Sequence, residues 1–137
     1  MSESPYLSTL KHGQPLSPLN SNLIIAEWTA PGTSEGDFPE HIAPLHKHHQ
    51  DDEAWYVLEG SLGFQIGDEV IEAGAGQAVI VPRGMPHTYW NPKPIQARYL
   101  IMMTARIHSL IEAIHREERR DPETMVNLFQ SFDSELI

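Results

Sequence analysis

The chain has no cysteine among its 137 residues, which removes disulfides and thiolate metal ligands and suits a reducing compartment. Positive charge is scarce: nine Lys and Arg stand against 19 Asp and Glu, a formal charge of −10. No basic run precedes the last third, so neither nucleic acid nor an anionic membrane is an expected partner. Long apolar runs are also missing. No stretch approaches the roughly 18 apolar residues of a spanning helix, and the opening MSESPYLSTLKHG lacks the apolar core of a signal peptide. The expected location is the cytoplasm. There is no phosphate-binding glycine loop and no serine nucleophile pattern. No internal repeat is visible, so the length points to one domain able to bury its own core.

What is present concentrates in two stretches. The first is PLHKHHQDDEAWYVLEG, Pro44 to Gly60. His46 and His48 are two residues apart, so on a strand both imidazoles leave one face while Lys47 points away. His49, Gln50, Asp51 and Asp52 suit a turn that brings Glu53 back toward the histidines, which makes a short hairpin the expected structure. The second stretch, GQAVIVPRGMPHTYWN, holds an apolar strand Ala78 to Val81, a Pro-x-Gly turn at Pro82 to Gly84, and His87 heading another strand. Three imidazoles and one carboxylate, His46, His48, Glu53 and His87, form a donor set that suits one divalent transition metal ion: iron, manganese, nickel, copper or zinc.

Around these stretches, residues 1–21 read as a terminal arm with Tyr6, Leu7 and Leu10 as apolar hooks. Residues 22–104 read as the barrel. Its strand candidates are Asn22 to Trp28, Ala54 to Leu58, Leu62 to Ile66, Val70 to Glu72, Ala78 to Val81, His87 to Trp90 and Ala97 to Met103, with a tight turn at Gly67-Asp68. Short strands at close intervals argue for a sandwich or barrel. The Pro-, Gly- and acid-rich TAPGTSEGDFPEHIAP is expected to be a loop at the mouth, with His41 a solvated loop residue. Arg83, in a turn, reads as a surface residue, and Arg98 is open to either face.

Residues 105–137 read as a helical extension of the same domain. Ile107, Leu110, Ile111 and Ile114 fall at helical spacing, Thr104 suits the N-cap, and Glu112 with Arg116 makes an i, i+4 pair. Asp121-Pro122 opens a second helix with Met125, Leu128, Phe129 and Phe132 as its stripe. These stripes are expected to cover the barrel or a partner subunit. The second helix is acidic, which argues against a helix-turn-helix DNA reader.

With these residues in view, the chain resembles the cupins. Their first motif is H-x-H, three or four residues, E, six residues, G, and His46, His48, Glu53 and Gly60 fill it. Their second is G, five residues, P-x-G, two residues, H, three residues, N, filled by Gly76, Pro82, Gly84, His87 and Asn91. Fifteen residues separate Gly60 from Gly76, a short spacer like that of compact microbial cupins. One departure is Glu40, where the family often carries glycine six positions before its first histidine. The resemblance covers roughly residues 40 to 103, and two motifs in order are far more specific than one. It implies an all-β fold, a single antiparallel jelly-roll barrel followed here by two C-terminal helices.

Strand parity then selects the pocket wall. Trp55 and Val57 share a face with Glu53; Tyr89 and Asn91 share one with His87. Phe64, Ile66, Leu100 and Met102 are candidates for the same interior, and Trp55, Val57, Tyr89 and Met102 make up the expected substrate pocket. An apolar, aromatic pocket suits a small planar or hydrophobic molecule better than a sugar phosphate. The resemblance implies a metal-dependent enzyme on such a molecule, with a ligand set like that of oxygen-using, quercetin-type dioxygenases. Isomerase, epimerase or lyase chemistry and a non-catalytic binding or sensing role are the alternatives, since one fold serves many reactions. A homodimer formed through the arm and barrel faces is expected.

Overall fold

Alternating apolar and polar residues give ten short strands and two helices among the described residues, 4–11 and 13–137, of the computed structural model. The strands are β1 (Pro15–Leu16), β2 (Leu23–Ala30), β3 (His41–His48), β4 (Glu53–Glu59), β5 (Ser61–Ile66), β6 (Glu69–Gly74), β7 (Ala78–Val81), β8 (His87–Trp90), β9 (Ala97–Thr104) and β10 (Ser134–Leu136). Helices α1 (Ala105–Arg116) and α2 (Pro122–Ser131) lie between β9 and β10. Two five-stranded sheets form, β1-β2-β9-β4-β7 and β10-β3-β8-β5-β6, antiparallel throughout. This is the jelly-roll arrangement, and its core lies between the sheets, where Trp55, Val57, Tyr99 and Ile101 meet Leu62, Phe64 and Tyr89. Among the described residues no helix is long and apolar enough to cross a membrane.

Several elements differ from the sequence reading. The stretch Pro44 to Gly60 is not a hairpin: β3 pairs with β8 and β10, whereas β4 pairs with β7 and β9. Residues 49–52 therefore carry the chain from one sheet to the other. That crossing sets Glu53 opposite the histidines instead of beside them. The expected mouth loop is shorter, because Thr29 and Ala30 complete β2 and His41 begins β3. His41 stacks on Trp90 with ring centroids 5.4 Å apart. The terminal arm contributes β1, which pairs with Ile25 and Ala26 of its own barrel, while Tyr6 and Leu7 are exposed. Residues 1–3 and 12 of that arm lie outside the described residues.

The helices begin where expected. Thr104 Oγ1 accepts from Ile107 N–H at 3.2 Å, and Asp121 Oδ2 accepts from Thr124 N–H at 3.1 Å with Pro122 in the first turn. Glu112 lies 3.5 Å from His108, one turn toward the N-terminus, instead of pairing with Arg116. Past α2 the chain makes a left-handed turn at Asp133 (φ 56°) and adds β10, a strand absent from the sequence reading.

The two-residue turn Gly67-Asp68 joins β5 and β6 as expected, with Gly67 at φ 58°. Gly60 is required on two counts. Its φ is 77°, and a Cβ there would stand 2.8 Å from the Gln96 carbonyl oxygen.

Candidate metal centre

Among the described residues one cluster of metal-ligating groups forms, His46, His48, Glu53 and His87, with ligand atoms within 4.8 Å of one another. All four are buried. His46 and His48 project from β3, His87 from the adjacent β8 in direct register with His46, and Glu53 from β4 in the facing sheet. The two motif turns are tied together. Gly84 N–H donates to the His48 carbonyl at 2.6 Å, and the Arg83 side chain pairs with Asp52 at 3.0 Å. Arg83 is thus an exposed residue that links the two ligand-bearing turns.

Hydrogen bonds fix the ring protons. His46 Nδ1 donates to the Pro44 carbonyl, and His87 Nδ1 to the Met85 carbonyl at 3.0 Å. His48 Nδ1 lies 2.7 Å from Ser134 Oγ, whose own proton is directed at the Phe132 carbonyl 3.2 Å away. Carbonyls only accept, so each ring carries a proton on Nδ1 and turns its Nε2 toward the cluster. Burial, then the neighbouring His87, lowers the His46 pKa to about 4, so this ring is neutral at ordinary pH.

Glu53 supplies the charge. Burial pushes its carboxyl up, but hydrogen-bonding positions on His48 and His87 outweigh that and bring it down to about 2. Its Oε1 is 3.3 Å from Nε2 of both His48 and His87, and His48 Nε2 has no hydrogen-bond partner of its own. Three imidazole nitrogens around a buried carboxylate, with no Lys or Arg lining the cavity, make a donor set that a cation would satisfy. The two 3.3 Å separations from Glu53 also fit, since metal–ligand bonds of about 2.0–2.2 Å put adjacent donors about 3 Å apart. The residues present therefore suit a divalent transition metal ion.

A cavity of about 300 Å³ opens on this cluster. Trp55 and Tyr89 line it, as strand parity implies. Val57 is fully buried in the core and does not reach it, and Phe64 and Ile66 likewise belong to the core. Met102 and Leu100 are corrected: β9 turns Tyr99 and Ile101 inward, so its even-numbered residues face the other way. Asn91 is buried, and its amide clamps loop carbonyls of Ala30, Pro31 and Ile95. Arg98 pairs with Glu27 and Glu59, each at 2.9 Å, away from the cavity.

The helices, expected to cover the barrel or a partner subunit, form the roof. Ile107, Leu110, Ile111 and Ile114 of α1 and Phe129 of α2 line the cavity, and the Phe129 ring lies 5.5 Å from that of His46. Ser134 is the other residue the sequence reading passed over. Only its place on β10, in register with His48, makes it a neighbour of the metal ligand.

The family model for the cupin domain matches residues 37–103. A curated relative, the germin-like protein subfamily T member 2 of Arabidopsis thaliana, is 31% identical over 74 residues, half of this chain and 34% of that protein. The chain thus spans about a third of the length of that relative. Among solved structures, a cupin protein from Bacteroides fragilis superposes with a TM-score of 0.60 at 17% identity, covering 76% of this chain and 86% of the other. A cupin sugar phosphate isomerase from Silicibacter pomeroyi gives 0.51 at 22% identity, covering 61% and 51%. Motifs, topology and the buried His/Glu cluster agree with these matches, and the chain carries a cupin domain over residues 37–103.

Proposed function

We propose that the protein is a metal-dependent oxidoreductase of dioxygenase type, acting on a small apolar or aromatic molecule. The observation that carries this reading is the juxtaposition of a buried three-histidine, one-glutamate cluster with an apolar cavity roofed by α1 and α2. Four protein donors leave coordination positions open on an ion that prefers five or six, and a bound redox-active metal would supply Lewis-acid and electron-transfer chemistry there. The chain's own part is to hold the imidazoles as Nε2 donors, to keep Glu53 ionised, and to exclude water with Ile107, Leu110 and Phe129.

The test is elemental analysis of untagged protein followed by electron paramagnetic resonance with and without oxygen. Near-stoichiometric iron, manganese, nickel or copper, with a signal perturbed by aromatic candidates, supports the reading. Zinc alone, or no metal after reconstitution, counts against it and favours an isomerase-like or purely binding role. The Silicibacter relative is a sugar phosphate isomerase, but a phosphate would want cationic side chains, and the cavity lining here has no Lys or Arg.

The same reading includes a homodimer confined to the cytoplasm. Ala54, Tyr56, Ile80, Leu100 and Met102 register with one another on the outward side of their sheet, opposite the core-facing set. Such an apolar face suits a second copy. Sedimentation equilibrium giving a monomer at micromolar concentration would remove this part.

A further inference from the structure

One wall of the cavity carries polar hydrogens that the protein does not use. Tyr89 and Tyr99, both buried, hold their hydroxyl oxygens 3.0 Å apart. One proton makes that bond, and the second hydroxyl proton remains. The Trp55 indole N–H is buried and has no hydrogen-bond partner; it lies beside the Tyr89 oxygen without reaching hydrogen-bond geometry. All three side chains line the cavity. Buried donors without acceptors are uncommon in folded proteins and call for an explanation.

A phenol's ordinary pKa of about 10 keeps both hydroxyls protonated at physiological pH. The surroundings define what they would meet. Ile101, Ile107 and Leu110 line the same cavity, which suits an apolar body. An anion there would face Glu53 with no Lys or Arg in the lining to offset the repulsion. A neutral oxygen has no such cost.

We propose that the Trp55 N–H and the unused hydroxyl proton of the Tyr89–Tyr99 pair form an acceptor subsite that seats a neutral carbonyl oxygen of an otherwise apolar ligand. This rests on the reading of the cavity as a ligand pocket, but it does not need metal turnover. The test therefore uses the full chain freed of metal, titrated by calorimetry with acetophenone, with its hydrocarbon analogue α-methylstyrene, and with benzoate. Acetophenone is expected to bind about tenfold more tightly than α-methylstyrene, the effect of one to two net hydrogen bonds. Benzoate is expected to bind more weakly than the ketone. In the Tyr89→Phe/Tyr99→Phe variant the ketone's advantage should fall at least threefold, with α-methylstyrene binding retained.

A second readout does not depend on that variant folding. The carbonyl carbon of ¹³C-labelled acetophenone should move downfield on binding to the parent protein. Equal binding of ketone and hydrocarbon, an advantage untouched by the double substitution, or an unshifted carbonyl overturns the subsite while leaving the pocket in place. Tighter binding of benzoate overturns the assignment to a neutral acceptor. No binding of either neutral compound overturns the pocket reading and the subsite together.

Discussion

The floor of the cavity is hydrogen-bonded sheet, whereas its roof is helix laid across it. In the floor, β3 is flanked by β8 on one side and β10 on the other, so His46 and His48 are held through both edges of their strand. Each imidazole is oriented again by a bond at Nδ1. The roof has no such ladder. It rests on apolar side chains, chiefly Ile107, Leu110 and Phe129, with Arg106 as a polar tie at the α1 end. The floor therefore fixes atoms to fractions of an ångström, which coordination demands, while the roof excludes water and can yield to a ligand's shape.

That contrast breaks most plainly in two substitutions. His87→Ala removes a floor donor and should take bound metal from about one ion per chain to about none by elemental analysis. Circular dichroism should show the fold retained. Leu110→Ala removes a buried roof side chain and should cost about 2–5 kcal/mol in thermal or denaturant unfolding, with metal stoichiometry unchanged. If Leu110→Ala instead empties the metal site, floor and roof are one cooperative unit.

Acid should act first on the floor. The folded His46 pKa, about 4, lies below its unfolded value of 6.5, and Glu53 falls from 4.5 to about 2. In both cases the unfolded chain binds more protons within the window, so stability rises with pH there. The metal-free protein should lose melting temperature from pH 6.5 down to about 4 through His46, and further below 4.5 as Glu53 protonates in the unfolded chain. His46→Gln should flatten the upper part of that slope, and a slope unchanged by His46→Gln would place the titration elsewhere.

The floor was largely legible in the sequence, and the reason is local. His46 and His48 are one pleat apart, and the spacings to Gly60, Gly84 and Asn91 mark turns by residue type alone. The failures are all tertiary. A four-residue connection between strands looks the same whether it turns a hairpin or crosses between sheets, so the placement of β4 could not be read. In β9, ARYLIMMT is apolar on both faces, because Leu100 and Met102 lie on an outward face that is itself hydrophobic. Alternation then carries no parity, and Met102 was assigned to the wrong side. Ser134 sits in a three-residue strand with no pattern of its own, and its role exists only through pairing with β3.

Ser134 sharpens the comparison, since it comes from the C-terminal segment beyond the roof helices and yet serves the floor. Ser134→Ala removes the acceptor for His48 Nδ1–H and frees that ring to change tautomer. Metal affinity should fall about tenfold to a hundredfold, with stoichiometry restored at excess metal. An unchanged affinity in competition titrations with a chelator would mean that β8 and β3 alone orient His48.

The smallest effect expected is at Arg106, and it tests whether the roof moves by itself. Arg106 Nη1 donates to Asp133 Oδ2 at 3.1 Å and stands 3.5 Å from the buried Asp51 Oδ2, which has no hydrogen bond. Asp51 belongs to the crossing from β3 to β4, and the Asp133 carbonyl accepts from His49 N–H at 2.9 Å. One half-exposed guanidinium thus joins α1 to the crossing from β3 to β4 and to the turn from α2 into β10. The exposed pair with Asp133 contributes about 0–1 kcal/mol, and a glutamine amide can still donate toward Asp51, so Arg106→Gln should shift the melting temperature little and leave metal stoichiometry alone. Local opening is more sensitive than global unfolding where few contacts hold an element. Amide exchange should quicken in α1 and stay unchanged in β3 and β8. Equal acceleration in the strands would mean that Arg106 braces the floor as well as the roof, and that a ligand entering beneath α1 disturbs the imidazoles as it does so.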